Sequence, residues 1–179
     1  MPRLPEIFER DKLPEDKREI YDYLVKARGR ISNGYAPLLH CPEFVGRAAH
    51  LGTYIRFESS LSAKTLELLA FTTSAELDNL YEQTTHAQAA VRLGVSQSTI
   101  DAINNKTDLV GAADEESLPV RCARELTRTH KLSDTSFEAA HKVLGDKGVV
   151  ELIGAIGYYA LLACAHNAMQ VRMPNSLAA

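Results

Sequence analysis

The sequence predicts an all-α fold of about eight helices, and three observations carry that expectation. Nearly every segment repeats its apolar residues at helical spacing, and almost nothing alternates with the two-residue period of a strand. Helix-starting residues (Ser62, Asp78 or Asn79, Ser96, Ser133) and helix-stopping glycines (Gly29, Gly94, Gly145) follow one another along the chain. The chain has 179 residues, 45% hydrophobic and 24% charged, which suits a single globular domain with a sizeable core.

Pro14, with Glu15 and Asp16 behind it, opens a first helix that Gly29 closes. A second runs from Pro42 to about Phe57. Ser62 caps a third over Leu61 to Leu77, and Asp78 or Asn79 caps a fourth that stops at Gly94. Ser96 caps a short fifth through Ile103. Asn104 to Leu118 is polar and reads as a connecting loop, its acidic run Asp114-Glu-Glu116 a solvated face. Pro119 opens a sixth helix to His130, and Ser133 a seventh to Gly145. The eighth, Lys147 to Arg172, ends before Pro174; it is apolar almost all round and is expected to be the central helix. Residues 1–13, Pro-rich and polar, read as a loose or subunit-wrapping arm.

Trp is absent and aromatic residues are 7%, so the core is expected to be mainly aliphatic. The net charge is −3 and the basic residues are scattered, which argues against a nucleic-acid partner. The longest apolar run, Leu152 to Ala165, is too short to span a bilayer, and no membrane partner is expected. Cys41, Cys122 and Cys164 form neither a disulfide framework nor a Cys-x-x-Cys motif. With no charged-then-apolar leader pattern, the expected location is cytoplasmic.

Glu82 and His86, four residues apart, share one face of the fourth helix. If the third helix packs against it as a hairpin, Glu67 reaches the same place. Two carboxylates and an imidazole make a proton-transfer set. The same spacing also describes an ordinary surface pair worth a few tenths of a kcal/mol, and Lys64 is placed to pair with Glu67. His166, on the apolar last helix, is a second candidate, although a lone buried histidine is commonly satisfied by a neighbouring polar group. Glu67, Glu82 and His86 also make a metal-ligand set, but the helix lacks the second histidine usual for it, so no metal is expected.

Several segments carry a family resemblance: Leu39-His-Cys-Pro-Glu-Phe44, Leu61-Ser-Ala-Lys-Thr-Leu-Glu67, Tyr81-Glu82 followed by His86, Ala90 to Gly94, Leu132-Ser-Asp134, and Gly157-Tyr-Tyr159 with Asn167. In order and spacing, from about Pro37 to Met169, they resemble the carboxymuconolactone decarboxylase family, which includes the alkylhydroperoxidase D proteins. The resemblance implies an all-helical fold around a helical hairpin, assembled as a homo-oligomer, often a trimer or hexamer. The peroxidase branch reads Cys-x-x-Cys-x-x-x-His with a glutamate nineteen residues before the histidine. Here those positions are His86 and Glu67, while Asn79 and Glu82 stand where the cysteines would be. The decarboxylase branch reads Tyr-Glu-x-x-x-His, the form this chain has from Tyr81 to His86. Many of its members carry Trp after the glutamate; this chain has Gln83.

The expected function is therefore acid–base lyase or decarboxylase chemistry on a small organic acid or lactone, without a cofactor. Catalytic roles are expected for His86, Glu82 and Glu67, and substrate contacts for Tyr81, Asn79 and His166. Arg56, Lys64 and Arg92 are candidate cations for a substrate carboxylate. The alternatives are a peroxidase that has lost its thiols and a non-catalytic oligomeric binding module.

Overall fold

The computed structural model describes residues 2–173, so Pro174 lies outside the described residues. Among them the fold is all-helical: α1 (Arg18–Arg28), α2 (Pro42–Thr53), α3 (Ala63–Glu76), α4 (Leu80–Arg92), α5 (Gln97–Asn104), α6 (Asp114–Thr129) and α7 (Asp134–Met169). Gly145, at φ 66° and ψ −178°, breaks α7 into two helical segments at a kink, which recovers the expected eight. The hydroxyls of Ser62, Ser96 and Ser133 and the amide oxygen of Asn79 accept from backbone N–H groups in their first turns, as the sequence predicts.

Three expectations are corrected. The sixth helix begins at Asp114, not at Pro119, which lies inside it. The acidic run occupies its first turn, where the N-terminal end of the helix dipole favours negative charge. Glu116 is buried there and accepts from the backbone and hydroxyl of Ser96. The central helix is α3, not the last one. From Leu66 to Ala75 its side chains are buried almost all round, against α4, α6 and α7. The last helix instead leaves Val150 and Ile153 exposed. Residues 2–13 do not stand loose: Ile7 N donates to Ala36 O, Arg10 pairs with Asp22, and Leu13 is buried with Leu24 and Leu39.

By length and composition α7 could cross a membrane, with a window of mean hydropathy 1.7. Its buried residues, Leu152, Ile156 and Leu162 among them, pack in one cluster with Leu66, Leu69 and Cys122 of α3 and α6. A second cluster, Leu68, Phe71, Ala90, Ile103 and Val120, joins α3 to α4, α5 and α6. The core is mainly aliphatic, and α3 lies at the junction of the two clusters.

α2 approaches α7 closely only because residue 52 is glycine. A Cβ there would fall on the Tyr158 hydroxyl and lie 3.0 Å from Arg28 Nη2. Gly52→Ala is expected to cost about 1–3 kcal/mol as an overpacking defect, read as a lower urea midpoint with unchanged denaturant slope.

Candidate active site

Helices α3 and α4 form the expected hairpin, and it brings Glu67, Glu82 and His86 together. His86 is 2% exposed. Its Nδ1 faces Glu67 Oε2 within hydrogen-bonding reach, and its Nε2 lies 3.0 Å from Glu82 Oε2. The edge of the Tyr159 ring packs against the imidazole, with centroids 4.9 Å apart. Burial alone would lower the basicity of His86, but the hydrogen bonds to the two carboxylates outweigh it and raise its pKa to about 9. Burial pushes Glu67 and Glu82 upward, and the contact with His86 overrides it, so both sit below the usual glutamate value. Near neutral pH the cluster is an imidazolium between two carboxylates.

Glu82, His86 and Tyr159, but not Glu67, line a cleft of about 530 Å³ between the end of α1, the 30–35 loop, α4, α7 and a π-helical turn at Tyr54–Glu58. Such turns recur at functional sites because the extra residue re-aims its neighbours. Two residues of this one, Arg56 and Phe57, reach the cleft wall, and Arg56 Nη2 lies 3.7 Å from Glu67 Oε1. The cleft also takes Arg28, Arg30, Tyr35, Tyr81, Tyr158 and His166. Arg28 stacks over Phe57, 5.5 Å from ring to guanidinium carbon, and its buried Nε and Nη2 have no hydrogen-bond partner.

The other expected residues divide. Tyr81 lines the cleft; its hydroxyl accepts from Gly34 N at 3.4 Å and its ring meets His166 edge-on. His166 is buried in the same wall, with Nδ1 3.3 Å from Glu82 Oε1. Asn79 is absent from the cleft wall. Its Oδ1 caps α4 at Glu82 N, and its Nδ2 donates to Ala163 O and to Asn167 Oδ1 at 2.8 Å. Of the candidate cations only Arg56 lines the cleft; Lys64 is paired with the exposed Glu115 and the buried Glu116, away from the cleft. Arg28 and Arg30 escape sequence reasoning, because basic residues at a helix C-terminus ordinarily complement its dipole. None of the three cysteines lines the cleft, and burial raises the Cys122 thiol to about 11. No group of three His, Cys, Asp or Glu among the described residues is placed to hold a metal ion.

The model of the carboxymuconolactone decarboxylase family matches residues 42–123, which include Glu67, Glu82 and His86. The fold also matches an uncharacterized peroxidase-related protein with an alkylhydroperoxidase core from Ralstonia eutropha JMP134, at TM-score 0.76 and 18% identity over 98% of this chain and 94% of that one. The chain thus matches the carboxymuconolactone decarboxylase family model over 42–123 and shares the alkylhydroperoxidase D-like fold over nearly its whole length. Two further solved folds are similar. One is a peroxidase-related protein from Silicibacter sp. TM1040, at TM-score 0.74 and 15% identity over 98% of this chain and 95% of that one. The other is the debrominase Bmp8, at 0.70 and 15% over 97% and 94%. No curated protein sequence matches the chain. Asn79 and Glu82, which stand where the peroxidase branch of that family carries its thiols, are both committed, Asn79 to a helix cap and Glu82 to an imidazole.

Proposed function

We propose that the protein is an acid–base lyase of the decarboxylase type, acting on a small organic acid or lactone without a redox thiol. The observation that carries this reading is His86, a buried imidazolium held between Glu67 and Glu82, on the wall of a cleft that three arginines share. Losing CO2 from such a substrate leaves an enolate-like carbanion that must be protonated, and the carboxylate must be held by a cation while it reacts. Arg28, Arg30 and Arg56 supply the positive charge. Tyr35, Phe57, Tyr81, Tyr158 and Tyr159 supply an apolar wall that suits a small ring.

Incubation with carboxymuconolactone and a panel of related lactone and enol acids tests this, with CO2 release as the readout. The expected result is release from at least one panel member, unchanged after the accessible thiols are alkylated. Release from none, or loss of activity on alkylation of a protein that stays folded, sinks the reading.

The protein is also proposed to work in the cytoplasm as a homo-oligomer. Leu51, Tyr54 and Val150 are exposed around one shallow apolar hollow between α2, the π turn and α7, a surface that a second copy could cover. Light scattering is expected to give a multiple of the chain mass at micromolar concentration; a monomer mass would reject the assembly.

A further inference from the structure

The turn that carries Arg56 and Phe57 into the cleft is held from outside the cleft. Tyr54–Glu58 continues directly from α2 and takes the π form, which is rare in helices. At its end Ser59 N donates to Tyr54 O at 2.9 Å, and the Ser59 hydroxyl to Ile55 O at 2.7 Å. Further ties come from one side chain of α7. Glu151 Oε1 accepts from the Tyr54 hydroxyl at 2.7 Å. Glu151 Oε2 accepts from the Ser60 backbone N–H at 2.9 Å and from the Ser60 hydroxyl at 2.5 Å. Tyr54 opens the turn and Ser60 follows its end, so a single carboxylate grips both ends. Glu151 is 5% exposed and is no part of the cleft wall. Burying a carboxylate is costly unless its oxygens are bonded, and these bonds all go to this turn and its exit.

What the turn holds in the cleft is a cation with donors to spare. The Arg56 side chain is 37% exposed, and its contact with Glu67 Oε1, at 3.7 Å, is longer than a hydrogen bond. Elsewhere in the chain Arg10, Arg124 and Arg128 each meet a carboxylate oxygen at 2.7–3.1 Å. In the same cleft wall Arg28 has Nε and Nη2 buried, which leaves Arg56 the more accessible of the two. Phe57, the next residue, adds an exposed ring to that wall.

We propose that Arg56 binds the carboxylate of the substrate, and that Glu151, which lies outside the cleft, is a positioning residue that acts through it by fixing both ends of the turn. The inference rests on the acid–base reading above for the kind of ligand, a small ring acid. It adds the remote residue that sets how tightly such an acid is held. Arg56 holds the carboxylate and exchanges no proton with it.

The two ends of the turn can be released separately. Glu151→Gln keeps the shape of the side chain but puts an amide N–H group where one oxygen accepts, so one end loses its tie. Tyr54→Phe removes the tie at the first end alone and keeps the half-exposed ring in place.

Benzoate, one ring with one carboxylate, is the probe, and it forms no enolate on losing CO2. Its affinity is measured by NMR titration of the wild type, Glu151→Gln, Arg56→Met and the double variant. The Arg56 Nε–Hε signal, identified by its loss in Arg56→Met, marks the site. Millimolar benzoate is expected to shift that signal in the wild type. Arg56→Met and Glu151→Gln should each weaken binding about 10-fold. The double variant should bind no more weakly than Arg56→Met, because two residues that act on one contact are not additive. Additive losses, or a Glu151→Gln protein that binds as tightly as the wild type, overturn the positioning role. An Arg56 signal that benzoate leaves unmoved overturns the binding role. If Glu151→Gln does not fold, Tyr54→Phe takes its place in the cycle, with a loss of about 3-fold that vanishes in the Arg56→Met background. With carboxymuconolactone, Glu151→Gln should raise KM by about 10-fold with kcat little changed, the mark of a contact made equally in ground and transition states. A fall in kcat at unchanged KM also overturns the proposal. If no panel member releases CO2, the lyase reading fails while the benzoate cycle still decides the roles of Arg56 and Glu151.

Discussion

His86→Gln is expected to lower turnover by about 100- to 10,000-fold while the far-ultraviolet circular dichroism stays that of the wild type. The glutamine can still donate one hydrogen bond, but it cannot carry the positive charge on which Glu67 and Glu82 depend. Without it the buried carboxylates rise in pKa and take up protons, and the charge pattern around the cleft is lost. Glu82→Gln and Glu67→Gln should each be milder, and the triple change little worse than His86→Gln alone, because residues acting as a unit are not additive. Near wild-type turnover in purified His86→Gln would refute the role of the cluster. A pH effect accompanies it. The folded-state pKa of His86 is raised from 6.5 to about 9, so its contribution is fully present below pH 6.5 and is lost as pH rises through 9. At about 1.4 kcal/mol per unit this is on the order of 3 kcal/mol. Urea titrations at pH 6 and pH 9.5 should show the loss in the wild type and little of it in His86→Gln.

Arg124→Met is expected to be the most destabilising single change outside the site, at about 3–5 kcal/mol. Arg124 is buried and spends its guanidinium on three partners: Glu76 Oε1 at 3.1 Å, Thr107 O at 2.7 Å and Ala102 O at 2.9 Å. It joins the end of α3, the end of α5 and the loop before α6. Removing it takes the donor from Thr107 O and one of two donors from Ala102 O, which still accepts from Thr107 N, and weakens the pairing of Glu76, whose side chain is 5% exposed. Arg128 also pairs with Glu76 but from the surface, with 45% of its side chain exposed, so Arg128→Met should cost under about 1 kcal/mol. Urea midpoints separate the two. Equal losses would show that burial is not what makes Arg124 matter.

Features set by neighbours in the chain could be read without coordinates. Four helix starts were legible because a side-chain oxygen three residues ahead of a free N–H caps it whatever the rest of the fold does. The pairing of Glu82 with His86 was legible because helical geometry puts residues i and i+4 on one face. Pro119 misled because proline is usual in the first turn of a helix, while here the acidic Asp114-Glu-Glu116 run starts the helix one turn earlier. The last helix was expected at the centre from its composition. Its apolar residues face both the core and the exposed side, which composition does not distinguish.

By itself the sequence determined the helical class, the caps, the missing thiols and the hairpin pair of carboxylate and imidazole, all of which follow from local periodicity and residue chemistry. Only the tertiary structure decided that Glu67 pairs with His86 and not with Lys64, that Asn79 is a cap, and that Arg28 and Arg30 share the cleft with Arg56. It alone set His166 beside Glu82, 84 positions along the chain from it by their numbering. The physical reason is that desolvation and charge pairing depend on which helices pack together. A buried imidazole becomes charged or neutral according to the carboxylates that the fold, not the adjacent chain, places against it.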